Sequence, residues 1–326
     1  MVIFFSALAT WLLLFALIPL LRRRLLDQPN ARSSHRMPTP RGGGIAFVLV
    51  VVLACIVWFL PPVSVAFTAP SVVNLPLMLL PLAVVGLVDD RYNLPPSWRY
   101  GSQVLSGLAL IYHSALPLSW FSLLPLLVAI TAVINFINFM DGLDGLVASS
   151  MAVAIAVVAF QLSLPWPIWS LVGALLGFLL WNWSPAKVFM GDVGSTFLGA
   201  IFVGLALQAP TWRDALGLLL VATPLLADSA LCVLRRWHAG QPVFQAHRLH
   251  LYQRLHQAGW PHPHVSCLYL VATTLLAAAM MCGGLSLVVL IAVLELLLGF
   301  WLDQTVAIPF TAALAISNQR SEDSPA

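Results

Sequence analysis

MVIFFSALATWLLLFALIPLLRRR, residues 1–24, decides the class of fold. An uncharged apolar run ends in Arg22, Arg23 and Arg24. A helix that crosses a bilayer needs about 20 mostly apolar residues, and this run supplies them. The basic cluster follows the run instead of preceding it. The segment therefore reads as a retained first helix with its C-terminal end in the cytoplasm, not as a signal peptide.

Comparable runs recur to the far end of the chain, at about 2–21, 43–60, 72–88, 101–117, 121–137, 145–163, 168–183, 195–209, 213–233, 265–281 and 285–302. They make eleven spans, or ten given how tightly 101–137 and 145–183 are joined. The 326 residues are 60% hydrophobic and only 8% charged, with a net charge of +3 and a mean hydropathy of +0.94. A soluble domain cannot bury so much apolar surface. The expected fold is an all-α polytopic membrane helical bundle, a single domain over 1–326 among membrane lipids, with no nucleic-acid partner.

Placement of Lys and Arg sets the sidedness. With the N-terminus outside, the cytoplasmic segments are 22–42, 89–100, 138–144, 184–194, 234–264 and the C-terminal tail. They hold Arg22, Arg23, Arg24, Arg32, Arg36, Arg41, Arg91, Arg99, Lys187, Arg235, Arg236, Arg248, Arg254 and Arg320, which is every one of the 15 basic residues except Arg213. The opposite loops, such as Pro61–Pro62 and Pro165-Trp166-Pro167, read as connectors. Residues 321–326 read as a disordered tail. Cys55, Cys232, Cys267 and Cys282 form no C-x-x-C pair and read as buried small hydrophobes, with neither zinc nor a disulfide.

The layout was set without any acidic residue, yet it gathers Asp89, Asp90, Asp141, Asp144 and Asp192 at the cytoplasmic face. Asp89–Asp90 end the third span, where the helix dipole already disfavours negative charge. A divalent cation, a basic partner or the adjacent Arg91 would relieve them. Asn135, Asn138, Asp141 and Asp144 are spaced three apart, so neighbours share a helical face. Asp144 alone would serve as a helix cap. Gly191-Asp192-Val-Gly194-Ser195 opens the eighth span; its free N–H groups suit phosphate, beside a carboxylate suited to Mg²⁺. Pro38-Thr-Pro-Arg41-Gly42-Gly43-Gly44 opens the second and can cradle an anion. The 234–264 loop carries His247-Arg248-Leu-His250-Leu-Tyr252-Gln253-Arg254, which fits phosphate contacts better than zinc. Asp27, Asp303, Glu322 and Asp323 need no special role, and Asp214 reads as an ion pair with Arg213. Asp228, within a span, is expected to reach Arg235 or the site; Glu295 has no evident place. Oxygen-only ligands among basic groups favour Mg²⁺ with a phosphate substrate.

Together these motifs resemble the polyprenyl-phosphate N-acetylhexosamine-1-phosphate transferases, glycosyltransferase family 4 enzymes that start bacterial lipid-linked glycans. The matches run in family order: Pro38–Gly44, Asp89–Asp90, Asn135–Leu146, Gly191–Ser195, Asp228 followed by Arg235–Arg236, and His247–Arg254. The resemblance implies transfer of sugar-1-phosphate from a UDP-N-acetyl-sugar to undecaprenyl phosphate, releasing UMP, with Mg²⁺ or Mn²⁺ in its place. It makes Asp192 the best metal ligand, with Asp89 beside it. Asp89 and Asp90 lie near the reacting phosphates, and Asp141 and Asp144 help form the nucleotide and catalytic site. His247, Arg248 and His250 contact a phosphate. Arg41, Gly43, Asn135, Asn138, Lys187, Gly194, Ser195 and Arg254 complete the substrate contacts. The peptidoglycan branch carries a consecutive histidine triplet that His-Arg-Leu-His lacks, so the resemblance points to an O-antigen or similar initiator in the bacterial inner membrane, with a homodimer compatible. An ion-coupled transporter is the competing class, resting on intramembrane Asp228 and Glu295. Transporters, however, place charges near the midplane, often in repeated halves.

Overall fold

The computed structural model describes residues 1–28, 37–60, 71–242 and 247–315. Arg32, Arg36, Arg320, the Pro61–Pro62 connector and the tail with Glu322 and Asp323 lie outside the described residues.

Each predicted span corresponds to helix. In chain order these are α1 (Val2–Arg24), α2 (Ile45–Phe59), α3 (Val72–Tyr92), α4 (Pro96–Tyr112), α5 (Trp120–Phe139), α6 (Leu146–Gln161), α7 (Trp166–Asn182), α8 (Asp192–Ala206), α9 (Trp212–Leu220), α10 (Thr223–His238), α11 (Leu251–Gln257) and α12 (His262–Thr305). The only strands among the described residues, Leu26–Asp27 and Thr39–Pro40, pair antiparallel.

Two breaks refine the expected spans. The run 213–233 is not one helix: α9 and α10 meet at 83°. Pro224, in the first turn of α10, lacks the N–H that a continuous helix would use. The last two spans are two helices, kept here under the single label α12, that meet at Gly284, whose φ of 59° and ψ of −155° leave the helical region. Glycine adopts such a conformation without a Cβ penalty.

α8 is the central post. Every residue from Val193 to Ala206 is buried, as expected of a helix that is apolar all round. It packs against α2, α3, α5 and α6, while α1 lies on α7, and α12 on α6 and α9. At the α2–α8 crossing, Gly44 meets Gly194: a Cβ on Gly44 would sit 2.5 Å from the Gly194 Cα. Small residues let helices approach this closely. The periphery is the reverse. Only 17% of the most apolar stretch of α5, and of α12, is buried. Phe4, Phe15, Leu124, Leu297 and Trp301 point outward. Water would not tolerate such a continuous apolar exterior, and a bilayer would. The architecture is that of a helical membrane protein.

Loops assigned to one side do meet. Leu25, Arg41, Gly43 and Phe189 are joined by backbone hydrogen bonds. At the far end Ala115 N donates to Leu207 O, and Trp212 Nε1 donates to Pro117 O.

Candidate active site

Three helix ends bring the carboxylates together. α3 terminates at Asn93, in the left-handed region with φ 48°, just after Asp89 and Asp90. Both are nearly fully buried. Asp90 closes the N-terminus of α8: its Oδ1 accepts from Asp192 N at 3.0 Å and its Oδ2 from Val193 N at 3.2 Å. A carboxylate is favourable at that positive end. Gly191, with φ 73°, sits against it, and a Cβ there would lie 2.5 Å from Asp90 Oδ2. Asp89 Oδ1 accepts from Leu94 N at 2.6 Å.

Arg99 is the cation that sequence reading placed only among the cytoplasmic basics. Its Nε lies 3.2 Å from Asp89 Oδ2 and its Nη2 3.6 Å from Asp192 Oδ2. The signal was available: Pro96 starts α4 six residues beyond Asp90 and sets Arg99 in the first turn. Arg91, one of the alternatives for neutralising the pair, lies over the Tyr92 ring. Asn138 Nδ2 donates to Asp192 Oδ1 and to Ser195 Oγ, both at 2.8 Å. Asp141 faces the same group. Burial first, then the charges of Asp192 and Asp90, push it up to about 8. Arg41 contributes positive charge at Asp90. The centre is thus Asp89, Asp90, Asp141 and Asp192 with Arg41, Arg99 and Asn138. This oxygen-only donor set fits a hard divalent cation.

Other expected residues take different places. Asp144 turns away: Oδ2 accepts from Ala186 N at 3.1 Å and lies 3.2 Å from His262 Nδ1. Burial raises its carboxyl, but His262 and the Ala186 amide outweigh that and hold it below the usual range. Gly145, not Asp144, caps α6. The α8 amides expected to hold phosphate are taken by Asp90. Gly194 N and Ser195 N donate to Gly191 O, and Ser195 Oγ is buried against Asn138, so neither amide is free for phosphate. Gly43 N is likewise occupied, by Phe189 O at 2.9 Å. Asn135 exchanges hydrogen bonds with Gln103. Lys187 is exposed, its Nζ over the Trp181 ring.

The 247–254 segment docks on α10. Asp228 Oδ1 accepts from Leu251 N, and Oδ2 from Tyr252 N and Tyr269 Oη. It does not pair with Arg235, and its lone pairs are engaged, which disfavours an ion-coupling role. Arg235 binds Asp303 through both oxygens. Arg254, 1% exposed, joins the same carboxylate and donates to Leu249 O and Ile308 O. Arg254 is therefore structural, and Asp303 has a role that the sequence did not reveal. His250 is 2% exposed, 3.7 Å from Asp228 and stacked on His247. Burial, then His250 and Arg236, push His247 down to about 3. Tyr252 Oη donates to Phe139 O at 3.0 Å and lies under Gly142, tying this segment to the Asp141 loop. Thr211 caps α9, its Oγ1 accepting from Asp214 N and donating to Asp214 Oδ2, so the Asp214 carboxylate is held by Thr211 instead of Arg213. Both Glu295 oxygens lack a hydrogen-bond partner among the described residues. Glu295 lines a cavity of about 470 Å³ between α10 and α12. Contrary to the sequence reading, Cys267 and Cys282 are exposed; both lie on the long peripheral α12.

The family model for glycosyl transferase family 4 matches residues 72–209, which carry all four clustered aspartates. A decaprenyl-phosphate N-acetylglucosaminephosphotransferase of Mycobacterium leprae is 30% identical, over 76% of this chain and 75% of the relative. An undecaprenyl-phosphate alpha-N-acetylglucosaminyl 1-phosphate transferase of Escherichia coli (strain K12) is 26% identical, over 78% and 75%. With this likeness spanning the aspartate cluster and most of the chain, the protein belongs to the polyprenyl-phosphate N-acetylhexosamine-1-phosphate transferases of glycosyl transferase family 4.

Proposed function

We propose that this protein transfers N-acetylhexosamine-1-phosphate from a UDP-sugar of the UDP-GlcNAc, UDP-FucNAc or UDP-QuiNAc type to undecaprenyl phosphate. UMP is released, and O-antigen or a similar polysaccharide is initiated. The convergence of Asp89, Asp90, Asp141 and Asp192 around Arg99 carries the reading: four carboxylates with so few cations suit a bound divalent ion and polyphosphate. Bound Mg²⁺ would be held by Asp192 and Asp89 and would neutralise phosphate charge as a Lewis acid.

The chain's own residues position and neutralise. Arg99 and Arg41 offset the diphosphate charge, Asn138 orients Asp192, and Asp90 fixes the start of α8 on which Asp192 stands. Arg248 meets a substrate phosphate. A lipid phosphate oxygen bonds to the sugar-bearing phosphorus while the bond from that phosphorus to the UMP oxygen breaks. The second pKa of a phosphate monoester is about 6, so the nucleophile is already largely a dianion and needs no strong base. Asp89 or Asp90 serves as the metal or proton-handling partner. One phosphoanhydride replaces another, so the rate enhancement comes from orientation and electrostatics.

In the membrane we place eleven crossings, the N-terminus outside, and the C-terminus and active site in the cytoplasm, where UDP-sugars reside. The setting is the bacterial inner membrane, with a homodimer compatible. The test is UMP release by purified protein given Mg²⁺, undecaprenyl phosphate and a panel of UDP-N-acetyl-sugars, with EDTA and tunicamycin controls. Release with one donor, abolished by EDTA and by Asp192→Ala, is expected. Full activity of Asp192→Ala would refute the metal assignment. UMP–UDP-sugar exchange without lipid acceptor would overturn direct attack in favour of an aspartyl-phosphate intermediate.

A further inference from the structure

Beside the aspartate cluster, the fold assembles a second group of opposite chemical character. Cys232 comes from α10, and His247 and His250 from the segment before α11. One ligand atom from each lies within 4.8 Å of the others. They are separated by up to 18 residues in sequence, so no metal spacing announces them. Cys232 is 3% and His250 2% exposed. His250 Nδ1 is buried and faces Asp228 Oδ1 at 3.7 Å. Leu249 and Ala313 are buried with Cys232, and Ile308, Phe310 and Leu314 pack around them. Nothing in the transfer reaction uses a thiol here.

We propose that Cys232, His247 and His250 form a zinc site distinct from the magnesium centre. A thiolate with two imidazoles selects a borderline-soft cation such as Zn²⁺, whereas Mg²⁺ prefers the all-oxygen set. Leu249 N donates to His247 Nδ1 at 3.3 Å, which leaves Nε2 as the donor to metal. Asp228, one helical turn before Cys232, lies 3.7 Å from His250 Nδ1. Its oxygens are engaged by Leu251, Tyr252 and Tyr269, so it stays outside the ligand set and orients the imidazole, as carboxylates behind zinc-bound histidines do. Tetrahedral zinc with these bond lengths separates ligand atoms by about 3.5 Å, so the group closes by no more than about 1.3 Å on binding. The consequence is a clip: zinc would fasten the 247–250 segment to α10, fixing the backbone of Arg248 between the two histidines.

The experiment uses full-length protein purified in detergent without chelator. Metal analysis is expected to find one zinc per chain. After chelation and reloading with Co²⁺ alone, a thiolate-to-cobalt charge-transfer band should appear in the near ultraviolet, persist in excess Mg²⁺ and in Cys267→Ser, and vanish in Cys232→Ser. Absence of the band in the wild-type protein overturns the proposal without any variant, as does a full-strength band in Cys232→Ser. Should Cys232→Ser fail to fold, His247→Ala decides. A loss of Co²⁺ affinity of at least about tenfold supports the site, and unchanged affinity overturns it. These readouts are independent of transferase activity, so failure of either reading is seen separately.

Discussion

Asp90 grips the backbone of the helix that Asp192 begins: Oδ1 takes the Asp192 amide and Oδ2 the Val193 amide. The acidic pair at the end of α3 thus divides its work. Asp89 faces Arg99, and Asp90 sets the angle at which Asp192 enters the site. Asp90→Asn should lose about 1–2 kcal/mol of stability, as for a lost helix cap, and about 10²–10³-fold in kcat through the displaced Asp192. Thermal unfolding and steady-state kinetics over a Mg²⁺ titration check this. Restoration of wild-type kcat by excess Mg²⁺ would reduce Asp90 to a mere contributor to ion affinity.

Arg99 is about one-third exposed, so its contribution to stability is small. Arg99→Ala should change stability by no more than about 0.5 kcal/mol. Its loss should lower kcat/KM for the UDP-sugar by about 10–100-fold, the equivalent of about 1.4–2.7 kcal/mol for a charge-assisted phosphate contact. Arg99→Lys should recover part of this. An unchanged kcat/KM would place the substrate elsewhere.

Asp144 and His262 tie the 141–145 loop to the start of α12. The Asp144 carboxyl is held below its ordinary value, so its stabilisation is present above about pH 4 and is lost as pH falls through the folded-state value. Asp144→Asn should therefore be less stable than wild type at pH 7, by about 1–3 kcal/mol. The two curves should converge in acid. A gap that widens below pH 4 contradicts the assignment.

Gly44 and Gly194 touch at the α2–α8 crossing, and the obstacle to a Cβ is backbone, which cannot rotate away. Gly44→Ala should cost at least about 1–3 kcal/mol by overpacking and reduce the monodisperse yield in detergent. Gly101→Ala, where a Cβ meets nothing within 4 Å, is the matched control.

Asp303 holds buried Arg254 together with Arg235. Asp303→Ala leaves a buried guanidinium unpaired and should cost about 3–5 kcal/mol. The double variant Asp303→Ala/Arg254→Met removes that orphaned charge and should recover part of the loss. Thermal unfolding of the two proteins side by side reads the difference.

The sequence by itself determined the class of fold and the gathering of the aspartates. Apolar runs long enough to cross a bilayer require helices, because only internal hydrogen bonds satisfy a backbone in lipid. Lys and Arg placement then put Asp89, Asp90, Asp141, Asp144 and Asp192 in loops of one side. Which of them act together was left to tertiary structure. Asp144 and Asp141 are three residues apart, but the turn through Gly142 sends one to His262 and the other to Asp192. Local spacing could not report this, because the helix that would have kept them on one face ends at Phe139. Asp303 was illegible for a related reason: it finds Arg235 and Arg254 across distant segments. The Gly191–Ser195 stretch read as a phosphate cradle until the fold filled its Asp192 and Val193 amides with Asp90. A helix N-terminus attracts whichever anion is nearest, and sequence does not say which one that is.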